Sequence, residues 1–165
     1  MAQGIIEFWA AGVPRPQPRP RAFAVGGRAR VYNPSTAEGW KNALAIAALP
    51  HKPPQPLAGP LRVDLDFFMP RPKGHYRIRA GNVTADLKPA APHWHTRGAG
   101  KLGGDRDNLD KAVLDALQVL GFFLDDGQVC AGQIVKRYDA GAGPGCQITI
   151  AALPEQSGRQ GGSHG

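Results

Sequence analysis

Residues 104–136 read GDRDNLDKAVLDALQVLGFFLDDGQVCAGQIVK, and they restrict the fold more than any other stretch of the chain. Leu109, Ala112, Val113, Ala116, Leu117 and Leu120 recur at helical spacing, with Asp107, Lys111, Asp115 and Gln118 opposite. Residues 108–120 are therefore predicted to form a helix with one buried face. Leu114 breaks the pattern by sitting among the polar positions, where a partner could cover it. Gly121 is suited to end the helix. Phe122, Phe123 and Leu124 would bury and return the chain, and that return is expected to bring Asp125 and Asp126 back towards Asp105 and Asp107.

Charge sharpens the reading. From Asp105 to Asp126 lie 6 of the 13 acids and 2 of the 20 bases, a net of −4 inside a chain of +7. Clustered carboxylates repel unless a cation neutralises them. Acid concentrated in a basic protein suggests a divalent metal held beside a polyanionic substrate. Each piece also has a structural reading. An Asp-x-Asp at a helix start favours the first N–H groups and the dipole, and Asp-Asp-Gly is an ordinary turn before a strand. Asp107 and Lys111 are neighbours at i,i+4 spacing, so Lys111 has a structural role open to it as a salt-bridge partner of Asp107 or Asp115.

The run D-x-D-N-L-x-K-A-x-x-D-A-L, followed by G-F-x-L-D-D-x-Q-V and a lysine ten residues past the last Asp, resembles the RusA family of Holliday junction resolvases. The residues are Asp105, Asp107, Asn108, Leu109, Lys111, Ala112, Asp115, Ala116 and Leu117, then Gly121, Phe122, Leu124, Asp125, Asp126, Gln128, Val129 and Lys136. The resemblance implies a homodimeric, Mg²⁺-dependent endonuclease that nicks four-way DNA junctions symmetrically, with Mn²⁺ as a substitute ion. It implies a catalytic set of Asp105, Asp107, Asp126 and Lys111, with Asp105, Asp107 and Asp126 on the metal and Asp125 as an alternate ligand. It places the protein in recombination and repair, in the cytoplasm of a bacterial or phage-infected cell. Family members often carry a basic residue or Lys-Pro before the first Asp, where this chain has Gly103-Gly104.

At 165 residues the chain is expected to form one domain over 1–153 with a disordered tail over 154–165. No apolar run reaches the ~18 residues of a membrane span, and the N-terminus makes a poor signal peptide. Two cysteines without metal spacing, Cys130 and Cys146, fit free thiols in a reducing compartment. The basic balance fits a nucleic-acid partner.

Along the chain, a first strand is expected near Ile5 to Ala10. Pro14, Pro16, Pro18 and Pro20 favour an extended segment, with Arg19 and Arg21 read as a basic arm on a phosphate backbone. The stretches 22–25 and 29–32 around Gly26-Gly27 read as a hairpin. Ser35 and Glu38 read as a capping box for a helix carrying Trp40, Ala43, Leu44, Ala47 and Ala48. Leu61–Met69 alternates as a strand, with Asp64 and Asp66 on its solvent face. Residues 70–104 lack regular pattern and carry Arg71, Lys73, Arg77, Arg79, Lys88, Arg97 and Lys101. They are expected to be a mobile DNA-binding loop, with Tyr76 and Trp94 offering stacking surfaces and Lys136 joining the DNA contacts. His75, His93 and His95 lack the companions a zinc site needs. Strands are expected over 129–138 and 146–151.

The expected fold is α+β, a mainly antiparallel or mixed sheet covered by two helices. The expected chemistry is in-line hydrolysis of a DNA phosphodiester by metal-activated water, with Lys111 stabilising the transition-state charge. Two other functions fit the residues alone: a non-catalytic DNA-binding module, and a metal-dependent phosphohydrolase of small nucleotides.

Overall fold

The computed structural model describes residues 4–17, 37–98 and 103–155, and the backbone alone of 21–25 and 28–32. The chain opens with strand β1 (Ile6–Ala11), then the antiparallel hairpin of β2 (Arg21–Val25) and β3 (Arg28–Tyr32). Helix α1 (Glu38–Ala48) follows. Its N-cap is Ala37, which makes no side-chain cap bond, and Glu38 is the first helical residue. Ser35, the other half of the expected capping box, lies outside the described residues.

Strand β4 (Leu61–Met69) is the centre of the molecule, because its alternation suits a strand with two paired edges and two different faces. Leu61, Val63, Leu65, Phe67 and Met69 are all buried, while Arg62, Asp64, Asp66 and Phe68 face the other way. Beyond it come β5 (Tyr76–Arg79), β6 (Asn82–Leu87), helix α2 (Arg106–Leu120), β7 (Val129–Ala131), β8 (Ile134–Tyr138) and β9 (Gly145–Ala152).

One edge of β4 pairs antiparallel with β9, which pairs antiparallel with β1. The other edge pairs parallel with β7 and β8. Parallel neighbours need a long crossover, and α2 supplies it. The sheet is mixed and the fold is α+β, as expected. The single strand expected over 129–138 is two strands. At Gly132 the backbone approaches β4 so closely that a Cβ would collide with the Val63 carbonyl oxygen. The Gln133 amide leaves the ladder to donate to the Asp64 carboxylate at 2.8 Å.

Both helices lie on one face. Trp40, Leu44 and Ala48 of α1 and Leu109, Ala112, Val113 and Leu117 of α2 join Phe122, Phe123 and the β1, β4 and β9 side chains in one core. Leu114 is half-buried and packs against that core, so it does not stand on the helix's open side. The exposed apolar residue of α2 is Val119, at 87% exposure. On the opposite face of the sheet, Asp64 pairs with Arg62 at 2.8 Å and Asp66 forms an ion pair with Arg137. Both carboxylates thus have cationic partners on that face.

Residues 70–98 are built and docked, where a patternless loop is expected. β5 and β6 form an antiparallel hairpin. Behind it, the Tyr138 amide donates to His93 O at 2.9 Å, and Trp94 bridges to Arg137. Arg71 donates to Asp139 O at 2.5 Å and to Pro92 O at 2.8 Å while lying over the Tyr138 ring. His75 and His95 meet the same ring edge-on. Residues 93 and 94 thus pair with the β8 edge, while the hairpin remains a separate two-stranded sheet.

Candidate active site

Asp105 is the N-cap of α2, with extended backbone (φ −68°, ψ 142°), yet its carboxylate makes no capping hydrogen bond. The structural reading of an N-cap aspartate, satisfaction of the first helical amides, is thus not taken up. The Asp105 carboxylate rests against Gly98, and a Cβ on that glycine would lie 2.5 Å from Oδ1. Asp107 stands exposed in the first turn. The extended stretch that begins at Pro14 passes over the same turn, where the Gln17 amide donates to Asn108 O at 2.9 Å.

Lys111, one turn further, pairs with Asp115 at 3.2 Å, both partly exposed. Asp110 is half-buried, and desolvation pushes its carboxyl above the usual range, Arg106 opposing and Asp107 reinforcing. Lys136 reaches this end of the helix from β8, donating to Gly104 O at 2.7 Å and Arg97 O at 3.0 Å. Burial lowers its basicity and Asp105 partly restores it. Lys136, expected among the DNA contacts, is part-buried here with its ammonium on two backbone carbonyls.

The two later aspartates divide the roles that sequence left joined. Asp125 caps the short 3₁₀ turn Asp126–Gln128, accepting from Gly127 N at 2.7 Å, with Gln128 completing a capping box. Gln128 also donates to Leu57 O and Gly59 O, tying this turn to the entry of β4. Asp126 is exposed at the start of that turn.

The return of Asp126 towards Asp105 does not occur. Fifteen residues of α2 at ~1.5 Å per residue put its ends ~22 Å apart. The sheet gives the same answer. Val129 pairs with Leu61, and Lys136, which holds the carbonyl before Asp105, pairs with Phe67. Those β4 positions are ~20 Å apart at ~3.3 Å per residue. Among the described residues, no three of His, Cys, Asp or Glu come together as a metal site. One chain places Asp105 and Asp107 at one end of α2 and Asp126 at the other.

Lys73, Arg77, Arg79, Lys88 and Arg97 are all exposed on the docked insertion, with Arg79 paired to Asp86 at 3.3 Å. Arg19, Lys101 and the side chain of Arg21 lie outside the described residues. Sequence reasoning missed Gly98 and Tyr138, and it counted Arg71 among the loop cations without its docking on Tyr138. The available signal was alternation in β8, which places Lys136 on the same face as Ile134 and Tyr138.

A family model described as "Endodeoxyribonuclease RusA" matches residues 11–151. The chain belongs to the RusA family of endodeoxyribonucleases. The match spans both helices, strands β4 to β8, nearly all of β9 and every candidate residue above, and begins at the last residue of β1. The chain is also similar to a protein of Bacillus subtilis (strain 168) called "Uncharacterized protein YqaN", 29% identical over 136 residues, 81% of this chain and 87% of that one. No described helix is long and apolar enough to cross a membrane.

Proposed function

We propose that this RusA-family endonuclease is a Holliday junction resolvase, a homodimer that uses Mg²⁺ to hydrolyse paired phosphodiesters in four-way and related branched DNA. The observation that carries the reading is the split of the acidic residues between the two ends of α2. A site that is incomplete in one chain is completed by a second copy whose α2 runs the other way, setting the partner's Asp126 against Asp105 and Asp107. Two such copies make two equivalent sites, which suits a substrate of two-fold character needing two nicks.

The donor set fits the ion. Mg²⁺ binds through one or two carboxylates and keeps room for waters and phosphate oxygens, and Mn²⁺ accepts the same oxygen ligands. The bound ion supplies charge to the scissile phosphate and makes the attacking water more acidic. Asp105 and Asp107 supply the oxygen donors at the first turn. Lys111 stands one turn away on an exposed pair with Asp115 that is worth only ~0–1 kcal/mol, so its ammonium is available to developing phosphoryl charge. The exposed cations of the insertion hold the DNA backbone.

Incubation with Mg²⁺ and a synthetic four-way junction, a linear duplex or a nucleoside triphosphate tests the reading. Symmetric nicks confined to branched DNA are expected. Hydrolysis of the triphosphate, or junction binding without cleavage, would overturn it in favour of a nucleotide hydrolase or a binding module. Asp107→Asn should lower cleavage by at least ~10²-fold, the scale of losing a group that acts in the transition state, while junction binding is retained. Cleavage near the wild-type rate would reduce Asp107 to a helix-start residue.

A further inference from the structure

In β8, Ile134, Lys136 and Tyr138 pair with Leu65, Phe67 and Met69, so all three face the side covered by the helices. Lys136 is the charged member of that stripe. An ammonium taken out of water is retained only where acceptors replace the water. Lys136 has two, both backbone carbonyls: Gly104 O at 2.7 Å and Arg97 O at 3.0 Å.

Those carbonyls belong to the residues just before Asp105 and just before the glycine against which it rests. Gly104 immediately precedes Asp105. Arg97 immediately precedes Gly98, the glycine on which Asp105 rests and where a Cβ would stand 2.5 Å from Oδ1. Asp105 makes no capping bond of its own, so nothing in the first turn of α2 fixes its rotamer. Its position is set from outside the helix.

We propose that Lys136 is a positioning residue that clamps the Arg97 and Gly104 carbonyls and thereby sets the Asp105 carboxylate against Gly98 for metal binding, without touching DNA. The inference rests on Asp105 being a metal ligand. Outer residues of this kind typically change metal affinity by ~10–100-fold when replaced. A lysine on the DNA would instead act on the phosphate backbone, and its loss would reduce the salt slope by about one.

The test uses Lys136→Met, which keeps the apolar stem and removes the donors, Lys136→Arg, which keeps donors, and Gly98→Ala, which keeps the lysine. Three properties are measured on each folded variant: Mn²⁺ affinity without DNA, salt dependence of junction binding in EDTA, and backbone hydrogen exchange. Lys136→Met should bind Mn²⁺ at least ~10-fold more weakly, with an unchanged salt slope and faster exchange confined to residues 97–98 and 103–105. Lys136→Arg should recover part of the Mn²⁺ affinity, and Gly98→Ala should lose affinity with the clamp intact. Unchanged Mn²⁺ affinity in Lys136→Met and Gly98→Ala would overturn the proposal. So would a salt slope reduced by about one in Lys136→Met, or wild-type protein that binds no Mn²⁺. These readouts need no cleavage, so failure of the wild type to cut junctions would sink the resolvase reading and leave this inference to be decided by Mn²⁺ and exchange.

Discussion

Asp125 and Asp126 are adjacent and chemically identical, yet the fold gives them different work. The Asp125 carboxylate is spent on the Gly127 amide in a capping box, whereas Asp126 projects outward at the head of the same turn. Asp125→Ala should therefore cost ~1 kcal/mol of stability, the usual worth of a cap, read as a lower denaturation midpoint with cleavage largely retained. Asp126→Asn should behave oppositely, with stability unchanged and cleavage lost. Asp110 gives a pH-dependent case. Desolvation raises its carboxyl pKa in the folded state, so the fold binds that proton more tightly than the unfolded chain does. The associated stability is present at low pH and is lost as pH rises through the raised value. Asp110→Asn should thus raise the thermal midpoint at neutral pH, by under ~4 °C for a half-exposed group worth less than ~1 kcal/mol. The gain should vanish below pH ~3.9, the unfolded value. An equal gain at both pH values would contradict the assignment.

Elements whose burial is one-sided are legible in the sequence. β4 has the bounds its alternation gives, and α2 buries Leu109, Ala112, Val113, Ala116 and Leu117 as its period requires. Leu114 is misread because the buried stripe of α2 is wider than the simple pattern, with Leu114 and Leu120 both packing on the core. The insertion is illegible for a different reason. Its order comes from long-range contacts of Arg71, His75 and His95 with Tyr138, and from the backbone bond of His93, none of which leaves a local period. That docking has a functional consequence. The segments flanking the hairpin dock beside β8 through Arg71, His75, His93 and His95, and the exposed hairpin between them carries Arg77 and Arg79, with Lys88 at its base. Removing Arg77, Arg79 and Lys88 together should reduce the slope of log K against log salt by ~2–3, given ~0.9 per phosphate contact. The lower figure applies if the Asp86 pair already occupies Arg79. An unchanged slope would mean that the hairpin does not meet DNA.

At the scale of the whole molecule, family membership and the fold agree with the resemblance carried by residues 105–136, but the sequence spacing conceals the arrangement of the site. A return of the chain after Phe122 and Phe123 brings Asp126 to the entry of β4, and Asp105 stands ~20 Å away near the far end of that strand. The direction of a return depends on which strand receives it, and that is a tertiary property. In the proposed resolvase two copies share each site. Mixing two inactive variants, Asp107→Asn and Asp126→Asn, tests it most directly. In a mixed dimer with shared sites, one site receives both substitutions and the other receives neither. Mixing, with exchange of subunits, should therefore restore nicking of one strand per junction, approaching a quarter of the wild-type number of sites when half of the dimers are mixed. Sites contained within single chains would leave every site carrying a substitution, and a mixture as inactive as either variant alone would contradict the claim.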